Sequence, residues 1–312
     1  MAVDLAPRPT RTAAPVRRRR RPIGPRLAHF AAFGGPGVAI YVCFVLAPIV
    51  VSFAYSLTNY NPFNPPTRYV GLRNYTLLFT DEEFLTSLRV TTILTLIVVI
   101  VPNVLGLAIA LLLDRRGWLY NALRSVFFVP MVLSSVVVSI IWTRLLDNEG
   151  PINQGLRALG VAHPPGWLSD PDYALYSLGS IISWQMLGFC VVVYLAGLQG
   201  VPHELQEAAA IDGAGPVRRF RNVTWPLLAP SLTINTVVLL ISAFKIFDHV
   251  QVITRGGPGE GTTATIAFLV LRTAFEDNHG GYASAEAIVM LVIIATASAV
   301  ALKLLQRREV QL

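Results

Sequence analysis

Apolar residues gather along the chain in six long runs, at about 34–57, 88–113, 125–145, 176–198, 227–249 and 283–305. Each is near or above the roughly 20 residues a helix needs to cross a bilayer, so the pattern predicts six spans. Pro48 and Pro102 fall inside two of them, where a lipid-buried helix tolerates a kink. Between the fourth and fifth runs the pattern changes. Glu207-Ala208-Ala209-Ala210-Ile211-Asp212-Gly213-Ala214 is a polar island of small residues. Pro202 suits a first helical turn, Glu204 and Glu207 favour the N-terminal half, and Gly213 suits a left-handed closure. Gly215-Pro216 starts a second short helix through Phe220, before Pro226 opens the fifth run. This predicts a helix-turn-helix at a membrane surface. Leu205, Ala208, Ala209 and Asp212 share one face of its first helix, a face small enough for another backbone to approach closely. An ordinary amphipathic loop helix is the plainer reading of alanine-rich sequence.

Composition agrees with a polytopic all-α membrane protein: 54% of the 312 residues are hydrophobic and 14% are charged. The net charge of +7 does not call for nucleic acid, because Arg17 to Arg21 stand directly ahead of an apolar run, where a basic cluster holds its end in the cytoplasm. With the N-terminus inside, 17 Lys and Arg fall on cytoplasmic segments and 7 on the other side. That bias expects both termini and the alanine-rich loop in the cytoplasm. Residues 1–28, rich in Pro, Ala and Arg, read as a disordered basic tail; 29–306 read as the six-span domain with its loop at 199–226, and 307–312 as a short C-terminal tail. Cys43 and Cys190 lie in apolar runs and read as packing residues.

The island's spacing carries a resemblance. Glu-Ala-Ala, three residues, Gly213, nine residues, then Val223-Thr224-Trp225-Pro226 resembles the EAA loop of inner-membrane permeases of binding-protein-dependent ABC importers, with Val223 and Trp225 where Ile and Leu are commoner. Tyr69-Val70-Gly71-Leu72-Arg73-Asn74-Tyr75, Asp81-Glu82-Glu83-Phe84, Asn148-Glu149-Gly150-Pro151-Ile152-Asn153, Trp167-Leu168-Ser169-Asp170-Pro171, Thr254-Arg255-Gly256-Gly257-Pro258 and Gly281-Tyr282-Ala283-Ser284-Ala285 follow in order. Singly each is turn chemistry. Together they resemble the carbohydrate branch of these permeases, over about residues 35–305.

The resemblance implies a six-helix permease subunit in a prokaryotic plasma membrane, importing a carbohydrate or polyol. It implies as partners a second permease chain, a dimeric ATPase, an extracytoplasmic solute-binding protein and membrane lipid. Glu207, Ala208, Ala209, Asp212 and Gly213 would form the coupling helix that enters a cleft of the ATPase. Carried over from the family, the substrate pathway falls on Gln185, Met186 and Phe189 in the fourth span and on Ser242, Ala243 and Ile246 in the fifth. Ser135 and Ser139, one helical turn apart in the third span, are further candidates; intramembrane Ser and Gln also simply join helices. Lys245 and Asp248 are an i,i+3 pair in the fifth span, either a self-neutralising brace or an outer gate.

No G-x-x-x-x-G-K-[ST] loop is present, since neither Lys245 nor Lys303 has that context. No cofactor is therefore expected in this chain, with ATP and Mg expected on the partner ATPase. His203-Glu204 begins like a zinc-protease motif, but Glu207 stands where the second histidine would be. A stand-alone secondary transporter or channel is the alternative, with the Lys245/Asp248 pair its only intramembrane charge pair.

Overall fold

The computed structural model describes residues 34–115, 117–259 and 261–307. The expected tail 1–28, and all but Arg307 of the expected tail 307–312, lie outside the described residues. The chain divides into two units at Val50. The described part of the first unit, 34–50, is helical and apolar, with a π-helical stretch Val42–Leu46. It is the start of α1, Gly34–Ser56.

From residue 51 onward the second unit adds α2 (Arg73–Leu78), α3 (Glu82–Leu113), α4 (Trp118–Val132), α5 (Ser135–Leu145), α6 (Pro151–Ala158) and α7 (Pro171–Gln199). These are followed by α8 (His203–Ile211), α9 (Pro216–Leu227), α10 (Ala229–Phe244), α11 (Ile266–Phe275) and α12 (Gly280–Gln306). Among the described residues the only β pairing is an isolated bridge, Thr58 to Tyr69. The helices α1, α3, α7 and α12 are each long and apolar enough to cross a membrane; the bent pairs α4–α5 and α9–α10 bring the total to six.

The helix starts follow from local chemistry. The Asp81 side chain accepts from the backbone N–H of Glu83 at 2.9 Å, and Glu82 and Glu83 complement the dipole of the first turn of α3. Asp170 accepts from Asp172 N–H at 2.9 Å ahead of Pro171, which fills the first turn of α7.

Within the second unit α7 packs against α3, α4 and α10. Two apolar clusters cover it, one containing Leu94, Val98, Leu178 and Ile182 and the other Ala110, Cys190, Tyr194 and Leu239. Close approach depends on missing side chains. A Cβ on Gly188 would run into the Phe127 carbonyl and Phe128 of α4, and one on Gly106 of α3 would meet Cys190.

Two expected spans are not continuous helices. The third bends by 99° between α4 and α5, where Leu133 and Ser134 are extended, just after Pro130 removes one backbone donor. The fifth is shorter than expected. It bends by 59° between α9 and α10. The break comes from Pro230, in the first turn of α10, whereas Pro226 lies inside α9, next to a π-helical stretch Phe220–Thr224. At its other end α10 stops at Phe244, residues 245–247 leave the helix, and helical structure resumes at Asp248 and His249 ahead of a π-helical turn, Val250–Thr254. The apolar helix α11 follows, an element the six-run pattern does not contain.

Candidate functional site

The alanine-rich island forms the expected pair of short helices. Pro202 is the N-cap of α8, one position earlier than expected, and Gly213 stands at φ +76°, left-handed, just beyond its end. The Ala214 N–H returns to the Ala209 carbonyl at 2.9 Å and the Gly213 N–H to Ala210 at 3.0 Å. Pro216 then starts α9. Glu207, Ala208, Asp212 and Gly213 are exposed and Ala209 is half-buried. Two aliphatic side chains beside them, Ile211 and Val217, are 85% and 80% exposed. An apolar tip flanked by carboxylates and small residues, lying outside the packed clusters, is a surface suited to a second protein.

Of the candidate pathway residues, Ser139, Gln185, Ala243 and Ile246 are buried, and Ser135, Met186, Phe189 and Ser242 are half-buried. Gln185 on α7 is 2% exposed. Its Nε2 donates to the Leu133 carbonyl at 3.0 Å, the group freed by the α4–α5 bend. Its Oε1 lies 2.7 Å from His249 Nε2. Because Oε1 only accepts, His249 donates, which fixes the imidazole proton on Nε2. Gln185 thus satisfies backbone exposed by one broken span and fastens it to the segment after another. A second latch acts beside it: Thr265 Oγ1 donates to the Ile246 carbonyl at 2.6 Å.

Ser139 is buried and its hydroxyl donates to the Ser135 carbonyl at 2.7 Å. Ala243 and Ile246 are buried in the same cluster as Leu178 and Val138, with Met186 packed on it; Phe189 packs on the other cluster. Ser135 and Ser242 are half-buried.

The Lys245/Asp248 pair does not form. Both are exposed, and the ion pairs among the described residues are Glu149–Arg157, Glu83–Arg272 and Asp277–Arg272. The i,i+3 geometry assumed a helix, and Lys245 is its last cap.

The loop motifs prove to be fasteners. Asn74 Nδ2 donates to the Ser56 and Thr58 carbonyls at 2.8 and 2.9 Å, and the Tyr75 hydroxyl lies 2.6 Å from Ser56 Oγ. The Tyr282 hydroxyl donates to Asp81 Oδ2 at 2.5 Å, joining α12 to the cap of α3. Trp167 Nε1 donates to Asn153 Oδ1 at 2.8 Å, and Arg157 holds the Glu149 carboxyl below the usual carboxylate range, mainly through its hydrogen bond and then its charge. Arg255, Gly256 and Gly257 run at φ 51°, 98° and 121°, a reversal that the glycines make at little cost.

Sequence reasoning missed the buried polar groups without periodic signal. Tyr194 donates to Asn103 Oδ1 at 2.7 Å between α7 and α3. Asn235 on α10 and Glu286 on α12 are 0% and 1% exposed. A lone Asn or Glu within an apolar run was the only available signal.

Comparison with known proteins bears on the whole arrangement. Residues 102–310 match the family described as binding-protein-dependent transport system inner membrane component. A probable starch degradation products transport system permease protein of Thermoanaerobacterium thermosulfurigenes is 33% identical over 281 residues, covering 90% of this chain and 94% of that protein. The trehalose/maltose transport system permease protein of Thermococcus litoralis is 33% identical, covering 84% of this chain and 88% of that protein. In fold, the chain is similar to a bacterial ABC transporter involved in the import of the acidic polysaccharide alginate, with TM-score 0.77 and 19% identity over 91% of this chain and 97% of that one. With six apolar spans and this match across two thirds of its length, the chain belongs to the family of inner membrane components of binding-protein-dependent transport systems, as a permease subunit of an ABC importer.

Proposed function

We propose that this subunit moves a carbohydrate or related polyol into the cytoplasm as one half of a two-permease pathway. The observation that carries the substrate class is the set of relatives named for sugars: starch degradation products, diacetylchitobiose, multiple sugars, and trehalose and maltose, each 32–33% identical. The partners are a second permease chain of different sequence, an extracytoplasmic binding protein and a dimeric ATPase.

The helix α8 acts as the coupling element. Its exposed Ile211 and Val217 supply apolar contact, Glu207 and Asp212 supply polar ends, and Ala208, Ala209 and Gly213 leave room for close seating. ATP and Mg bind on the ATPase, this chain carrying no nucleotide site of its own. Both termini and α8 lie in the cytoplasm, in keeping with the Lys and Arg bias. ATP-driven closure of the ATPases then moves the spans between inward-open and outward-open states.

Gln185, Met186, Phe189, Ser135, Ser139, Ser242, Ala243 and Ile246 act at the edge of the pathway, with Gln185 and Ile246 holding the broken spans in position. Lys245 and Asp248, exposed and separate, remain candidates for the outer mouth as single charges. The deciding experiment is purification of the tagged chain in mild detergent with identification and stoichiometry of its companions. An ATPase and a second six-span chain are expected, and the accompanying binding protein is then tested against sugars. Recovery of the chain alone, even after crosslinking in the membrane, overturns the importer assembly.

A further inference from the structure

Four helix ends meet on the side of the molecule that carries α8: the last turns of α3 and α7 and the first turns of α4 and α8. Between them is a cleft of about 780 Å³ lined by Asp114, Arg115, Asn121, Arg124, His203 and Gln206, among others. Its charge is one-sided. Two arginines face a single carboxylate, and neither arginine belongs to an ion pair among the described residues.

The Arg124 guanidinium is fixed in place. Its Nη2 donates to the carbonyls of Leu113 at 2.7 Å and Arg115 at 3.1 Å, and its Nη1 to Asn121 Oδ1 at 3.3 Å. Leu113 is the last residue of α3 and its carbonyl also accepts from the Arg115 N–H at 2.8 Å, so part of this role is capping. Its Nε is nevertheless buried and has no partner. Arg115, by contrast, is exposed, and its longest reach is a 3.5 Å contact with the Tyr120 hydroxyl.

The cleft is also lined by the apolar residues Leu198 and Val201, and Trp118, which follows the lining residue Gly117 in sequence, is 81% exposed. Tryptophan is enriched at the level of the lipid headgroups. A fixed guanidinium and a second, exposed arginine beside two apolar side chains, at the ends of the membrane-length helices α3 and α7, suit one ligand chemistry, a phosphate that carries acyl chains.

We propose that this cleft binds the headgroup of an anionic phospholipid, and that the bound lipid steadies the start of the coupling helix through His203 and Gln206. The placement on the cytoplasmic leaflet, and the link to coupling, rest on the function proposed above. The binding itself does not.

The test uses the intact transporter in nanodiscs of phosphatidylcholine with and without phosphatidylglycerol, read by native mass spectrometry for retained lipid. The wild type is expected to retain phosphatidylglycerol over phosphatidylcholine. Arg115→Gln, at an exposed position, should lower that retention roughly fivefold, the effect of one basic residue near the surface. Asp114→Asn, which removes the opposing charge, should raise it. Equal retention in the wild type and both variants, or loss of the preference on adding inorganic phosphate, overturns the site, the second outcome assigning it to a free anion. ATPase activity stimulated by phosphatidylglycerol in the wild type and not in Arg115→Gln supports the link to coupling. If the importer reading failed there would be no such activity to stimulate, while the lipid retention would still be read.

Discussion

The Leu133 carbonyl, Gln185 amide and His249 imidazole form a short chain of hydrogen bonds at the residue scale, and they explain how two broken spans survive in an apolar environment. Each break frees backbone groups that lipid cannot satisfy. Gln185→Leu removes both bonds and leaves the Leu133 carbonyl and the buried His249 imidazole without these partners. We expect a stability loss of about 1–3 kcal/mol for each orphaned group, read as a lower melting temperature in detergent, with Gln185→Glu failing to restore it because a carboxylate cannot donate to Leu133.

The Glu149–Arg157 pair supplies a pH dependence on the same scale. Its depressed carboxyl contributes order above the ordinary carboxylate pKa and loses that contribution as pH falls through its folded value. Amide exchange in residues 146–170 should therefore accelerate on acidification through that range. Arg157→Gln should remove most of the difference, and an unchanged pH profile in that variant would assign the protection elsewhere.

At the scale of elements, α8 and its glycine were the most legible part of the chain. Propensity, a capping proline and a glycine at the end all concern neighbours in sequence, so the local pattern was enough to draw them. Gly213 stands at φ +76° with open space around its missing Cβ. Gly213→Ala should therefore cost only about 1–2 kcal/mol of local strain. Gly213→Arg adds a long cation at the surface proposed for ATPase docking. We expect ATP hydrolysis without uptake and normal insertion in the membrane; normal sugar uptake would remove Gly213 from the coupling surface.

The breaks in the third and fifth spans were much less legible. Hydropathy counts apolar residues and has no term for direction, so α4 and α5 read as one run despite the 99° bend. Pro226 and Pro230 look alike in sequence and stand two residues either side of Leu228, where the backbone turns, but only at Pro230 would the missing N–H have carried the helical ladder across the break. The supposed Lys245/Asp248 pair failed for the same reason, since helical spacing has meaning only while the helix continues.

For the whole molecule, close packing around α7 sets the arrangement of the second unit. Gly188→Ala would place a methyl group against the backbone of Phe127 and Phe128. Because backbone cannot yield as a flexible side chain does, we expect destabilisation of about 1–3 kcal/mol and reduced yield of folded protein. Labelling of a cysteine introduced at Arg218 should succeed only from the cytoplasmic side. Labelling from outside would overturn both the orientation and the proposed coupling role.

The sequence by itself determined the all-α membrane class, the number of apolar runs and the family, because lipid demands long apolar helices and the coupling-loop spacing is local. It also located the short helix α8, for which the coupling role is proposed. Only the tertiary structure decided what Gln185, Asn74, Asp81 and Tyr282 do, since each acts on a group brought to it by folding. Tyr282 reaches Asp81 across 201 positions and Gln185 reaches His249 across 64. Contacts of that range depend on how the helices bend and pack, and no pattern of neighbours along the chain records it.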